Sequence, residues 1–227
     1  MKSVLVAGAT GAVGRQLINQ LLASSNVTTV HVLSRRATQW QSHPQVIEHI
    51  LPLAHISKLQ VANGVDAVFC CLGTTIKQAG SKAAFTAVDL DAVLSLGLWA
   101  VQQQVAQFHV ISSLGVSPKS RGFYLQTKQQ MEQRLQQIGL KGLCIYRPSM
   151  LLAQRDEFRL GEFIGGLAMR ALAWLPGADA WRPVRVEQVA TALLAQASNG
   201  ISGTKVIDSA QIQLAQHPHY QQQAECS

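Results

Sequence analysis

The residues best suited to chemistry are a tyrosine and a lysine four positions apart, Tyr124 and Lys128, in the segment FYLQTKQQMEQ. On a helix, side chains at positions i and i+4 lie on one face, about one turn apart. A phenol beside an ammonium group can transfer a proton to or from a substrate. Such pairs also occur on ordinary solvated helices, so the meaning of this pair depends on what the chain places beside it.

A pair of serines, Ser112 and Ser113, stands at the end of a predicted strand, in the segment VISSLGV. Tyr124 follows Ser113 by 11 residues and Ser112 by 12. Serines are common in turns and caps after strands, where they bond their own backbone. That interpretation loses weight here, because Tyr124 and Lys128 follow at a workable distance on the next predicted helix.

A glycine-rich turn joins the first predicted strand to the first predicted helix, in the segment GATGAVG. Gly8 allows a tight turn, Gly11 lets the backbone approach a pyrophosphate, and Gly14 lets the helix pack on the sheet. The helix N-terminus adds free N–H groups and the positive end of a dipole. Glycines also make ordinary turns, but a strand before them and a helix after them favour dinucleotide binding.

The second predicted strand ends in LSRR, without the Asp or Glu that usually binds the ribose hydroxyls of NAD. Arg35 and Arg36 present guanidinium groups, which suit a 2′-phosphate, and Ser34 adds a hydroxyl donor. Two exposed basic residues on a loop are the alternative interpretation. The pattern predicts NADP(H) as the cofactor.

Strands alternate with helices along most of the chain, which predicts parallel β-α-β units covered on both faces. The fold class is therefore α/β, a doubly wound parallel sheet in three layers. We expect one domain over residues 1–210, in which residues 150–185 form a small helical region on the substrate side. The polar segment 211–227 is expected to be a disordered tail.

The amino-acid composition and charge indicate which classes of ligand and partner the protein can bind. Hydrophobic residues make up 48% of the chain and charged residues 14%, which predicts a large buried core. The net charge is +7, but Lys and Arg are scattered, so the sequence favours anionic small ligands over nucleic acid. No apolar run reaches the ~18–20 residues of a membrane span, so stable membrane insertion is not expected.

The four cysteines have no metal-binding spacing, and no metal site is predicted. Cys70 and Cys71 are adjacent in an apolar strand and should face opposite sides of the sheet. Buried reduced thiols are expected, and they favour a cytoplasmic location.

The G-x-x-G-x-x-G spacing, the serine pair and the Tyr-x-x-x-Lys segment together resemble the short-chain dehydrogenase/reductase superfamily, in its extended and atypical branches. The segments FCCLGTT, FYLQTK and YRPSMLLAQRDEFRLGE resemble one subgroup more closely. That subgroup comprises the Tat-interacting-protein-like atypical members, among them many small bacterial oxidoreductases. The resemblance extends over about residues 1–208 and implies a Rossmann-type NAD(P)-binding fold.

The resemblance also implies roles for residues. Tyr124 would be the catalytic acid/base, and Lys128 would lower the phenol pKa from its unperturbed ~10 and hold the nicotinamide ribose. Ser113 would bind the substrate carbonyl, with Ser112 as the fallback for that role. The cofactor would contact Gly8, Thr10, Gly11, Ala12, Val13, Gly14, Ser34, Arg35, Arg36, Cys71, Leu72, Gly73, Tyr124, Lys128, Arg147 and Pro148.

Two positions depart from the superfamily pattern. Asp89 stands where a helical asparagine often supports the catalytic lysine through water, and residues 51–53 lack the aspartate that binds the adenine amino group in many relatives. In the substrate-side region, Arg155 and Arg159 either bind an anionic group or pair with neighbouring acids.

Two functions follow as hypotheses. The first is an NADP(H)-dependent oxidoreductase that acts on a carbonyl or alcohol, with a small and partly apolar substrate. The second is an NADP(H)-binding regulatory or interaction protein with little turnover. Sugar-nucleotide epimerisation is disfavoured, because the C-terminal part is short for a substrate domain. We expect a monomer or a homodimer.

Overall fold

The structure is a computed structural model that describes residues 1–152 and 182–215. Most of the predicted substrate-side region, 150–185, therefore lies outside the described residues, as do Arg155 and Arg159.

Seven parallel strands form one sheet in the order β3-β2-β1-β4-β5-β6-β9. The chain runs outward from β1 to β3 on one side and then crosses back to β4, next to β1, which is the doubly wound arrangement predicted from the sequence. Two short strands, β7 and β8, pair separately in parallel. The strands are β1 Ser3–Ala7, β2 Thr29–Ser34, β3 Val46–Ile50, β4 Ala67–Cys70, β5 Gln107–Ile111, β6 Gly142–Arg147, β7 Leu151–Leu152, β8 Val184–Arg185 and β9 Gly203–Asp208.

Helices cover both faces of the sheet, so the predicted three layers are confirmed. α1 and α5 share one apolar layer with β1 residues such as Val4, whereas α3 and α4 share the opposite layer with Leu5. The alternation of Val4 and Leu5 follows from the two-residue period of a strand. The helices are α1 Ala12–Ala23, α2 Ile76–Ala79, α3 Lys82–Gln102, α4 Phe123–Gln137, α5 Val186–Ser198 and α6 Ser209–Leu214.

Two local expectations differ from the structure. The segment ISKLQVANGV predicts a brief helix that stops at Asn63-Gly64. The structure has instead a short 3-10 helix, Leu53–Lys58, because Pro52 starts the turn earlier and Leu59 is extended. The tail predicted from residue 211 begins with helix, since α6 runs to Leu214 and buries Ile212 completely. Residues 216–227 lie outside the described part of the chain.

Helix α3 is long and apolar enough to cross a membrane by length and composition, with a mean hydropathy of 1.6 in its best window. The sequence prediction missed it because Asp89 and Asp91 interrupt the apolar run. Half of that window is buried inside the protein, which is the usual situation of a core helix.

Candidate active site

A cavity of about 520 Å³ lies at the carboxyl ends of β1, β2 and β4. The strand order reverses between β1 and β4, which is where doubly wound sheets bind their ligands. The size is within the range of small-molecule and cofactor sites. The cavity is lined by Gly8, Ala9, Thr10, Gly11, Leu33, Ser34, Arg35, Leu53, Cys71, Leu72, Gly73, Thr74, Gln78, Ala79, Ala84 and Val88.

The glycines of the first turn have different physical tasks. A Cβ on Gly14 would lie 2.2 Å from the Gly8 carbonyl oxygen, and a Cβ on Gly8 would lie 2.5 Å from that of Cys71. Both glycines are therefore required by backbone packing. Gly11 and Gly73 line the cavity instead, where an added Cβ would meet nothing nearer than 3.4 Å and 3.6 Å, respectively. Their missing side chains leave space for a ligand.

The N-terminus of α1 opens at this turn. Gly11 is the N-cap residue and provides no side-chain cap, so the first N–H groups of α1 are available to an anion. Thr10 lines the cavity, whereas Val13 is buried in the core below it. The turn therefore fits the pyrophosphate of a dinucleotide through backbone groups, which side-chain identity alone does not reveal.

The basic loop after β2 borders the same cavity. Arg35 lines it, Arg36 is exposed next to it, and neither has an ion pair within residues 1–152 and 182–215. The Ser34 hydroxyl donates to the Arg36 carbonyl oxygen at 2.6 Å, so it is already used inside the turn. The Thr38 backbone N–H and hydroxyl both donate to the Glu48 carboxylate of β3. This staple fixes the loop without neutralising the arginines.

The wall of the cavity includes residues that the sequence analysis did not single out. Leu53 comes from the segment that lacks the adenine-binding aspartate, and it gives an apolar surface there. Thr74 and Gln78 follow β4 and add polar groups. The sequence could have indicated Thr74 as a cavity residue, because it directly follows Gly73 in CCLGTT. No sequence feature indicated Gln78.

The cysteines at the end of β4 point to opposite layers of the sheet, as predicted. Cys70 belongs to the α3–α4 layer, and Cys71 packs against the α1–α5 layer while also lining the cavity. Burial raises the pKa of the Cys70 thiol to about 12 and raises that of Cys71 as well. Both thiols therefore stay protonated at neutral pH, which excludes a thiolate nucleophile at these positions.

Lys128 forms a buried ion pair with Asp89. Its Nζ lies 2.7 Å from Asp89 Oδ1, and the two side chains are 5% and 1% exposed. The Lys128 ammonium also donates to the Ile111 carbonyl oxygen at the end of β5, at 3.5 Å. The other carboxylate oxygen of Asp89 accepts the backbone N–H of Thr74 at 2.8 Å. The superfamily's water-mediated support is thus replaced by a direct pair.

Two opposing effects set the charge of Lys128. Burial by itself lowers the pKa of Lys128, but the Asp89 carboxylate and the nearby Tyr124 raise it, and the net pKa lies above the ordinary value. Lys128 is therefore held as an ammonium ion beside the tyrosine, which fits the role that the resemblance implies for it.

The serine pair separates into two roles. The Ser112 hydroxyl donates to Glu132 at 2.5 Å, and Glu132 also binds the Arg147 guanidinium through Nε at 3.1 Å and Nη2 at 2.6 Å. Ser113 donates to the Leu114 carbonyl oxygen at 3.2 Å. The Ser112 hydroxyl is therefore used inside the core. The substrate contact of Ser113 stays a prediction.

The predicted cofactor contacts of Arg147 and Pro148 stay predictions. The Arg147 guanidinium is occupied by Glu132, and the Pro148 carbonyl oxygen accepts the Leu114 N–H at 2.8 Å. Neither residue lines the cavity.

Helix α4 carries Tyr124 and Lys128, the predicted proton-transfer pair, on one face. Tyr124, Lys128 and Glu132 follow one another at intervals of four residues. The Tyr124 ring lies 5.7 Å from that of Phe85 on α3, measured between centroids. Ser113, Tyr124 and Lys128 do not line the cavity themselves. Helix α3 connects them to it, because Ala84 and Val88 line the cavity while Phe85 and Asp89 contact α4.

A family model described as NAD(P)H-binding matches residues 8–162. The protein HTATIP2 of Rattus norvegicus is 31% identical over 204 residues, which span 88% of this chain and 82% of that protein. The mitochondrial protein FMP52 of Coccidioides immitis is 29% identical over 219 residues, spanning 90% and 89%.

Solved structures show the same fold at lower identity. MoeE5 in complex with UDP-glucose and NAD superposes with a TM-score of 0.66 at 19% identity, covering 90% of this chain and 75% of that one. The Bordetella bronchiseptica enzyme WbmH in complex with NAD+ gives 0.66 at 18% identity, covering 92% and 76%. At this identity the likeness shows the fold alone.

The relatives correct the expected location. Several FMP52 proteins that match this chain at about 30% identity are named mitochondrial, which contradicts the cytoplasmic prediction. That prediction depended on reduced, buried cysteines, and such thiols report reducing surroundings without distinguishing one reducing compartment from another.

The sheet order, the glycine turn at its switch point and the matches to the NAD(P)H-binding model and to HTATIP2 and FMP52 lead to one assignment. The chain belongs to the atypical short-chain dehydrogenases/reductases, in the Tat-interacting-protein-like group of NAD(P)-binding Rossmann proteins.

Proposed function

We propose that the protein is an NADP(H)-dependent oxidoreductase that interconverts a carbonyl and an alcohol, with Tyr124 as the acid/base. The observation that carries the proposal is the buried ammonium of Lys128 beside Tyr124, held by Asp89 on the helix that also lines the dinucleotide cavity. A cavity that serves binding alone does not need a charged lysine placed next to a phenol.

The chain's own residues divide the work. The backbone around Gly11 and the N-terminus of α1 hold the pyrophosphate, and the open surfaces of Gly11 and Gly73 leave room for the dinucleotide. When bound, the nicotinamide ring supplies or accepts a hydride at C4. Tyr124 gives a proton to the carbonyl oxygen during reduction and takes it back during oxidation. Ser113 orients that oxygen by a hydrogen bond.

The preference for NADP(H) is supported by the charges at the end of β2. Arg35 lines the cavity and Arg36 is exposed beside it, and no acid stands at this strand end to bind a ribose hydroxyl pair. A 2′-phosphate supplies the anion that these two guanidinium groups lack.

The experiment has two stages. The purified protein is titrated with NADPH and with NADH, and NADPH oxidation is then screened against a panel of small and partly apolar aldehydes and ketones. We expect NADPH to bind more tightly than NADH and at least one carbonyl to be reduced. Tyr124→Phe is the control variant, which should bind NADPH as the wild type does but turn over much more slowly. Absence of NADPH binding would exclude the proposal.

The rival function is a regulatory or interaction protein that binds NADP(H) without efficient turnover. It is favoured by the observation that Tyr124 is not among the residues that line the cavity. Tight NADPH binding without turnover on every carbonyl, together with identical behaviour of Tyr124→Phe, would favour this function.

A further inference from the structure

Lys82 places a positive charge close to Tyr124. It is the first residue of helix α3, and its Nζ lies 5.3 Å from the ring centroid of Phe123, the residue directly before Tyr124. The Phe123 and Phe85 rings lie 5.7 Å apart between centroids, and the Phe85 and Tyr124 rings lie at the same distance. Two ring contacts therefore connect the Lys82 ammonium to the proposed acid/base.

The position of Lys82 in the helix is unfavourable for a lysine. The N-terminus of a helix carries the positive end of the dipole, which favours acidic side chains and disfavours cations. The first turn of α3 contains no acid, and the Ser81 hydroxyl already accepts the Ala84 backbone N–H at 3.0 Å. Lys82 is also exposed, so the core does not require its side chain. Departures of this kind from the local rules of folding are expected at functional sites.

No carboxylate compensates the charge of Lys82 in the described part of the chain. Lys82 forms no ion pair within residues 1–152 and 182–215, and its described partner is the ring of Phe123. An ammonium ion has three donors, and a ring face attracts the charge without using all of them. The Lys82 ammonium can therefore bind an anion while it stays over the Phe123 ring.

The segments around Tyr124 carry an excess of positive charge. Residues 67–88 and 92–131 contain no Asp or Glu. Between them, Asp89 is buried and used in its ion pair. Lys119 and Arg121 are exposed in the loop that precedes α4 and add to the charge of Lys82. An anionic ligand is therefore favoured on this side of α3.

We propose that Lys82 is a specificity-determining residue for the proposed reaction, and that the substrate is a carbonyl compound that also carries a carboxylate, with an apolar segment between the two groups. Lys82 binds the carboxylate, Phe123 contacts the apolar segment, and the carbonyl oxygen lies at Tyr124. This inference rests on the proposed function, because it names the class of carbonyl compound that Tyr124 would help to reduce.

The aromatic side chains divide in a way that fits such a substrate. Phe85 is fully buried, so it fixes the rings of Phe123 and Tyr124 without touching a ligand. Phe123 and Tyr124 are partly exposed and can be contacted from outside. A single ammonium also balances the single charge of a carboxylate, whereas a phosphate ester carries up to two charges. The carboxylate only binds and is unchanged by the reaction.

The kinetic test compares adipate semialdehyde with its methyl ester, which has the same aldehyde without the charge. Because the carboxylate is remote, the reactivity of the aldehyde is the same in both, and a difference in KM reports binding. We expect the wild-type KM to be about three- to tenfold lower for the semialdehyde than for the ester. In Lys82→Met the two KM values should become equal.

Lys141→Met is the matched control. It removes the same charge from an exposed residue directly before β6, at the amino end of the sheet and therefore at the edge opposite to the cavity. This variant should keep the wild-type ratio of the two KM values. Loss of the ratio in Lys141→Met as well would mean that the net charge of the protein, and not Lys82, selects the anion.

A binding measurement separates this inference from the proposed function, because it needs no turnover. Hexanoate and hexanamide have the same alkyl chain, differ in charge and contain no aldehyde or ketone. Titrated into protein saturated with NADP+, hexanoate should bind about three- to tenfold more tightly than hexanamide in the wild type and in Lys141→Met. In Lys82→Met the two compounds should bind equally.

The outcomes distinguish the two proposals. Equal binding of hexanoate and hexanamide by the wild type, absence of hexanoate binding, or a preference for hexanoate that persists in Lys82→Met would refute the role of Lys82. A weaker affinity of Lys82→Met for NADPH with that preference retained would assign Lys82 to the cofactor instead. A preference for hexanoate that depends on Lys82, without turnover of any carbonyl, would count against the proposed function and leave the anion site standing.

Discussion

Positive side chains meet two opposite surroundings in this protein. Arg35 and Arg36 lie on a surface loop, stapled by Glu48 to β3, with no acid to neutralise them among the described residues. Lys128 is 5% exposed and pairs with Asp89 at 2.7 Å. The exposed charges are available to a ligand, whereas the buried charge is already compensated and is fixed in place. Under the proposed function, the same positive charge recognises the cofactor at one end of the site and positions Tyr124 at the other.

The largest expected effect is on the reaction rate, and it comes from the region of the buried Lys128–Asp89 pair. Tyr124→Phe removes the proton donor but keeps the ring against Phe85, so kcat should fall roughly 10²–10⁴-fold. Steady-state kinetics with the best substrate of the screen measures it, and NADPH binding by the same protein should stay within about twofold. Equal losses in kcat and in NADPH affinity would contradict the division between the two regions.

The next effect concerns stability. Lys128→Met leaves the buried Asp89 carboxylate without its counter-charge, and we expect a loss of about 3 kcal/mol in the free energy of unfolding. Arg36→Met is the matched exposed replacement, and it should change that free energy by less than about 0.5 kcal/mol. Denaturant unfolding measures both variants. A small loss in Lys128→Met would mean that the buried pair contributes no more than a surface charge.

Replacement of an exposed arginine of the loop after β2 should change the affinity for the cofactor. Arg35→Ala removes a guanidinium from the cavity wall, so the NADPH dissociation constant should rise roughly ten- to hundredfold while that of NADH stays the same. Fluorescence titration gives both constants. Arg134→Ala, an exposed replacement near the end of α4, is the control and should leave both unchanged. A parallel weakening of NADH would contradict the assignment of a 2′-phosphate to Arg35.

A pH-dependent effect extends the comparison to buried imidazoles. Burial lowers the pKa of His31 to about 4, with a further contribution from His49, and burial lowers that of His109 to about 3. Because the folded pKa values lie below the ordinary 6.5, the unfolded chain binds more protons below that pH. Stability should therefore be full above pH 6.5 and fall toward pH 4, by at most about 1.4 kcal/mol per pH unit for each histidine. Unfolding midpoints measured across this range would show the slope, which His109→Gln should reduce.

The sequence predicted those parts of the molecule that depend on local patterns. Gly8, Gly11 and Gly14 predicted the turn and its place in the sheet, because a strand, a glycine turn and a helix are contiguous in the chain. The spacing of Tyr124 and Lys128 predicted a shared helical face for the same reason.

The contacts between distant segments were not predictable in this way. Asp89 was recognised as a departure from the superfamily, but its direct pair with Lys128 depends on the packing of α3 against α4. Glu132 carried no sequence signal, although it binds both Ser112 and Arg147. The Thr38–Glu48 staple joins a loop to a strand edge in the same manner. Such pairs become visible when the tertiary structure is known.

The four-residue spacing on α4 has a mechanical consequence. Lys128 is tied to α3 and to the end of β5, and Glu132, one turn further on, is tied to β5 and β6. Rotating α4, or sliding it along its axis, would break both ion pairs at the same time. These contacts therefore fix the position of Tyr124 relative to the sheet. Under the proposed function, any closure around a substrate would have to come from elements other than α4, because these two ion pairs fix the position of Tyr124.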